Sequence, residues 1–164
     1  MQFFNKIPAV LPNELNRVGR SDDVVTGNVV LGTIMLKMLT TIYLCMLTAI
    51  VLAANNGVLS PWLSWLHNIP FGDKACHFFF VGVLSFLVCV TLISQRPRTG
   101  KLAIVAGTVV LLAALTSLEE MSQALLRHRQ YSELDMLCNI AGSCVFGALS
   151  LFWPANGPLN RATR

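Results

Sequence analysis

The chain has 164 residues, of which 54% are hydrophobic and only 12% charged, whereas a soluble domain carries about 25% charged residues. A chain this short and this apolar cannot bury its hydrophobic residues in one water-surrounded core, which excludes a soluble globular domain. The net charge of +4 does not point to nucleic acid: the basic residues flank apolar blocks, where topology-setting charges belong, and no basic-aromatic stripe accompanies them.

Residues 1–28 lack the charged-then-apolar layout of a signal peptide and are interrupted by Pro8 and Pro12, which predicts a polar cytoplasmic tail. The first membrane span is expected at about 29–54. Lys37 lies in its first third, where its stem can snorkel toward headgroups, and Asn55-Asn56-Gly57 stops it. Ser60 and Pro61 then resemble an N-cap and first helical position. Trp62, Trp65 and Leu66 follow at i, i+3, i+4, and tryptophan favours the membrane–water boundary. The pattern predicts a short helix lying on the outer surface.

The second span is expected at about 74–95 and ends where Gln95-Arg96-Pro97-Arg98 forces a turn. The third, about 101–127, is apolar from Leu102 to Leu115 apart from Thr108 and continues as the polar helical stretch TSLEEMSQALLRHR. The fourth, about 133–153, opens after Ser132 and is stopped by Pro154, leaving residues 154–164 as a cytoplasmic tail. No internal repeat appears, so the predicted architecture is one all-α, four-helix transmembrane bundle over residues 29–153, with the short surface helix in its first outer loop.

Lysine and arginine placement sets the orientation. With the N-terminus inside, the inner side carries Lys6, Arg17, Arg20, Arg96, Arg98, Lys101, Arg161 and Arg164, and the outer side only Lys74, Arg127 and Arg129. Both termini are therefore expected in the cytoplasm, and His67, His77 and His128 face outward. The five cysteines, Cys45, Cys76, Cys89, Cys138 and Cys144, form no CxxC or paired framework and read as packing residues. A link between Cys76 and Cys138, both near the outer face, has no support beyond that placement.

Depth arithmetic gathers the unusual polar residues into one layer. With Lys101 at the inner boundary, Glu119 and Glu120 lie about 27–29 Å away at a rise of ~1.5 Å per residue, near the outer hydrocarbon edge. Asp73 and Lys74 open the second span at that level and Asp135 the fourth, with Asn139 one turn deeper. Asp73 and His77 are i, i+4, and Glu120 and Gln123 are i, i+3, so each pair shares a helix face. Ionisable groups in a membrane tend to face protein and pair, and Arg127 and Arg129 run against the positive-inside bias, as cations held by these acids would. Simpler readings stand beside this one. Asp73 can be an N-cap, Ser132 with Asp135 a capping-box variant, Arg127 and Arg129 loop charges, and His67 and His128 interfacial residues.

DKACHF at the start of one span and EMSQALLRHRQYSELDMLCNIAG at the next outer turn resemble the VanZ-like family of integral membrane proteins. The matching positions are Asp73, Lys74, His77, Glu120, Gln123, Arg129, Asp135, Asn139 and Gly142, within roughly Asp73 to Phe152. The first span matches only in being apolar. Glu119 beside Glu120 leaves two carboxylates as candidates for the site. The resemblance implies a bacterial plasma-membrane protein of the cell envelope; the family's founding member is associated with low-level teicoplanin resistance, and the resemblance names a family and a compartment, not a reaction.

Three functions fit these residues. The first is an envelope protein that binds a lipid headgroup or lipid-linked precursor, with Lys74 and Arg129 on an anionic group. The second is an intramembrane enzyme in which His77, activated by Asp73 or Glu120, acts as general base while Lys74 or Arg129 stabilises negative charge. The third is a small lipid transporter or scramblase, for which four helices would need to assemble as a homo-oligomer. Nucleophile-elbow, Walker A and HExxH patterns are missing. Asp73, His77, Glu120 and Asp135 suit a divalent ion, yet they pair equally well with Lys74 and Arg129, so no metal or cofactor is expected. Binding ranks first, an enzyme second, transport third.

Overall fold

Hydrophobic blocks with no intervening polar backbone partners can satisfy their N–H and C=O groups in a bilayer only as helices, and helices are what the chain forms. The computed structural model describes residues 12–96, 99–125 and 131–154, with side chains from residue 30 onward except Leu63 and His67. The elements are α1 (Pro12–Asn55), α2 (Ser60–His67), α3 (Gly72–Gln95), α4 (Lys101–Gln123) and α5 (Glu133–Leu149), the last continued by a 3₁₀ turn over Ser150–Phe152. Among the described residues four stretches are long and apolar enough to cross a membrane: Val30–Asn55, Gly72–Gln95, Lys101–Gln123 and Glu133–Phe152. The chain is a multi-pass membrane protein, helical with no strand among the described residues.

Element boundaries differ from expectation in four places. Helix α1 begins at Pro12 rather than near 29, so residues 12–28 of the expected tail are helical; residues 1–11 and 155–164 lie outside the described residues. Helix α4 stops at Gln123 rather than continuing to 127: Ala124 and Leu125 donate to Met121 O and Ser122 O in tight turns, and 126–127 lie outside the described residues. Ser60 is the first helical residue instead of the cap, which is Leu59 without a side-chain bond; Pro61 does sit in the first turn. Asp73 is not a cap either, because Phe71 holds that position in a left-handed conformation and Asp73 falls in the first turn of α3, where a carboxylate complements the helix dipole.

The stop after α1 is as the sequence implies. Gly57 adopts φ 75°, Val58 N–H donates to Ala53 O and Gly57 N–H to Ala54 O, the paired bonds of a Schellman motif. At the other side of the bundle, Lys101 Nζ donates to the carbonyls of Leu151 (3.1 Å) and Trp153 (2.7 Å), so a single lysine satisfies acceptors that the end of the fourth span leaves open.

Helices α3 and α5 pack most closely. A Cβ on Gly142 would run into the backbone of Phe78, and one on Gly82 would meet the Phe146 ring. Ser85 Oγ donates to Ser143 O at 3.0 Å in the same seam. Small residues let helix backbones approach where lipid offers no hydrophobic drive to association. Val81, Leu84, Leu87, Cys89, Val90 and Ile93 of α3, with Ile104, Val105 and Leu112 of α4, form the buried core. Helix α1 rests against α3, tied by Thr40 Oγ1 to Thr91 Oγ1 (2.8 Å) and by Tyr43 OH donating to Phe80 O (3.0 Å). Its outward face, including Leu31, Met35, Leu39 and Ile42, is exposed, as suits a helix whose surroundings are lipid tails.

Candidate functional site

Helix periodicity aims the polar residues. Asp73, Cys76, His77, Phe80 and Leu84 form one stripe along α3, and Leu112, Leu115, Thr116 and Glu119 form another along α4. Leu44, Leu47, Val51 and Ala54 form a third along α1. All three stripes line one cleft of about 370 Å³, within the usual range for small-molecule sites. Helix α3 supplies the floor and α1 and α4 the walls; Leu59 and Leu66 lie at the end nearest α2, and Asn139 reaches in from α5. Asp73, His77, Glu119 and Asn139 gather at one end, and the remaining lining is almost wholly apolar. From Asp73 to Leu84 the cleft follows α3 for about 16 Å at ~1.5 Å per residue, roughly half of a ~30 Å hydrocarbon core.

The polar end consists of two joined groups. In the first, Lys74 Nζ lies 3.1 Å from Asp135 Oδ1 and 4.0 Å from Asp73 Oδ2. His77 Nε2 lies 3.8 Å from Asp73 Oδ1 and 4.0 Å from Asp135 Oδ2. The two aspartates thus each turn one oxygen toward the lysine and the other toward the imidazole. His77 Nδ1 is 3.2 Å from Asn139 Oδ1; the amide oxygen can only accept, so Nδ1 carries the proton. Asn139 is 1% exposed and fixes the ring.

In the second group, Gln123 Nε2 donates to both oxygens of Glu119 at 3.0 Å and to Glu120 Oε2 at 3.2 Å. Glu120 Oε1 also accepts from the backbone N–H of Ser132 at 3.0 Å. This last bond explains how the groups are joined. Ser132 caps α5, its hydroxyl accepting from Asp135 N–H at 3.3 Å, and in a capping box the third residue's carboxylate would return to the cap's own N–H. Here Glu120 of α4 takes that N–H instead. The Asp135 side chain is left to face Lys74 and His77.

The structure therefore brings together Asp73, Lys74, His77, Glu120, Gln123, Asp135 and Asn139, all drawn from the ends of three helices. Arg127, His128 and Arg129 lie outside the described residues, as does the side chain of His67. Glu119 and Glu120, adjacent in sequence, divide the work because successive residues rotate by about 100° around a helix. Glu120 is fully buried against α5, while Glu119 lines the cleft. Sequence reasoning missed Thr116 and the α1 wall. Both follow a helical stripe, but in a span that is apolar all round such a stripe carries no contrast. All five cysteines are free.

Fold and site together define a multi-pass membrane protein with an apolar cleft closed at one end by a carboxylate–imidazole–amide cluster. Searches of family models, curated proteins and solved structures gave no match to this chain.

Proposed function

We propose that the chain is a VanZ-like envelope protein of the bacterial plasma membrane that holds one lipid, or the lipid portion of a lipid-linked envelope precursor, in the α1–α3–α4 cleft. The observation that carries this reading is the cleft's form: an apolar trough about one leaflet deep with its hydrogen-bonding groups at one end. Both termini are inside, so the polar end belongs to the outer leaflet. Helix α2 then lies on the outer surface with Trp62 and Trp65, 72% and 61% exposed, at headgroup level. Modulation of glycopeptide sensitivity follows from sequestering such a precursor.

The chemistry of the polar end refines the choice of headgroup. Lys74 is already engaged by Asp135, and the groups lining the cleft are Asp73, His77, Glu119 and Asn139. An end so rich in acceptors favours a headgroup bearing hydroxyl or amine donors over direct contact with an anion. The enzyme reading draws on His77, the one imidazole of the cluster among the described residues, which lines the cleft at the headgroup end; it ranks second. Transport ranks third, because a trough one leaflet deep offers no route to the other side.

The test is lipid retention. The chain, purified from a bacterial membrane in mild detergent and weighed intact by native mass spectrometry, is expected to carry one lipid per chain. Thr116→Trp fills the cleft and is expected to lower occupancy at least tenfold. Val110→Trp, on the lipid-facing side of α4 where Val110 is 68% exposed, should leave it unchanged. A wild-type chain free of lipid, or equal retention by Thr116→Trp, overturns the reading.

A further inference from the structure

The geometry points to a divalent transition-metal site formed by Asp73, His77 and Asp135, with Asn139 behind the imidazole as the group that orients it. Three observations converge on this. First, the Nδ1–H of His77 is committed to Asn139 Oδ1 at 3.2 Å, which leaves Nε2 to the other side of the ring. Metal-bound histidines characteristically donate their other ring N–H to a buried oxygen in this way. Second, Nε2 stands 3.8 Å from Asp73 Oδ1 and 4.0 Å from Asp135 Oδ2. An imidazolium held by a carboxylate would close to ~2.7–2.9 Å with one of them. Instead the nitrogen is almost equally far from both, beyond hydrogen-bond reach. One ligand atom from each of the three residues lies within 4.8 Å of the others. A point equidistant from three atoms so spaced is about 2.2–2.5 Å from each, and contraction by a few tenths reaches the ~2.0–2.2 Å of zinc–nitrogen and zinc–oxygen bonds.

Third, the lysine does not occupy this gap. Lys74 takes the opposite oxygens, Asp135 Oδ1 and Asp73 Oδ2, so each aspartate can serve the ammonium and an ion at once. Glu120 is excluded from the ligand set because Ser132 N–H and Gln123 hold both its oxygens. Mixed imidazole and carboxylate donors suit zinc, manganese or iron(II). Three protein ligands leave a coordination position free, as catalytic rather than structural sites do, and Asp73 and His77 turn it toward the cleft. The site stands whether or not the cleft holds lipid.

The probe is Co²⁺ titrated into the purified, untagged, chelator-treated full chain in detergent and followed by visible absorption. Saturation at one ion per chain is expected, with visible d–d bands, no near-ultraviolet thiolate charge-transfer band, and displacement by Zn²⁺. Asp73→Asn and Asp135→Asn keep side-chain shape and are expected to abolish saturable binding, as is His77→Ala. Asn139→Ala should weaken affinity about 10- to 100-fold. Thermal unfolding of each variant without metal checks that it folds, and the two isosteric variants decide the matter if His77→Ala does not. No saturable binding by the wild-type chain, a thiolate charge-transfer band that places the ion on Cys76 or Cys138, or unchanged binding in folded Asp73→Asn and Asp135→Asn overturns the site.

Discussion

At the scale of single residues, Glu119 and Glu120 separate what holds the site together from what meets a ligand. Glu120 is fully buried and accepts from Gln123 and from the backbone of Ser132; Glu119 shares the same glutamine but lines the cleft. Replacing Glu120 with alanine strands the part-buried N–H of Ser132, at about 1–3 kcal/mol, while Gln123 keeps its bonds to Glu119. We expect Glu120→Ala to lower stability by about 1–3 kcal/mol in detergent unfolding experiments and to loosen the start of α5. Glu119→Ala should cost less than about 1 kcal/mol, since Gln123 keeps its bond to Glu120, while reducing lipid retention. Equal losses of stability from the two would contradict the division. Much of this cluster was legible in the sequence. The i, i+4 spacing of Asp73 and His77 and the i, i+3 spacing of Glu120 and Gln123 fix which side chains share a face. The exchange of capping partners at Ser132 was not legible: it depends on the distance between the ends of α4 and α5, which no local pattern encodes.

At the scale of elements, the number and order of helices follow from apolar block length, and the Asn55-Asn56-Gly57 stop from the left-handed position that Gly57 fills. The unbroken start of α1 at Pro12 was hidden because Pro12 reads as an interruption within a tail, although proline is well suited to a helix's first turn. The shortened α4 was hidden too, since the stretch after Gln123 keeps a helical composition. Gly142 marks the tightest joint, where α5 meets the α3 backbone at Phe78. A methyl group there meets backbone, which cannot rotate aside, so Gly142→Ala is expected to cost about 1–3 kcal/mol and shift the cluster side of α5. Ala141→Leu on the neighbouring exposed position should be nearly neutral. A Gly142→Ala chain that unfolds like the wild type would show that α3 and α5 stand further apart than described.

At the scale of the whole molecule, the asymmetry of basic residues and the position of the polar cluster at one end make a topological statement. Reporters active only outside the plasma membrane are expected to be silent when fused after Arg164 and active when inserted in the turn after α2, at Asn68. The reverse pattern would place the cluster in the cytoplasm and remove the outer-leaflet reading. The cleft is the feature that unites the levels: stripes of side chains on α1, α3 and α4, a floor positioned by the tight α3–α5 joint, and a polar end assembled by Glu120 and Asn139. Its most direct test is an experimental density map of the chain in a lipid nanodisc. The account predicts elongated density between α1 and α4, running about 16 Å along α3 from Asp73 toward Leu84. Helix α1 packed directly onto α4, with the space between Leu47 and Leu115 closed, would contradict it.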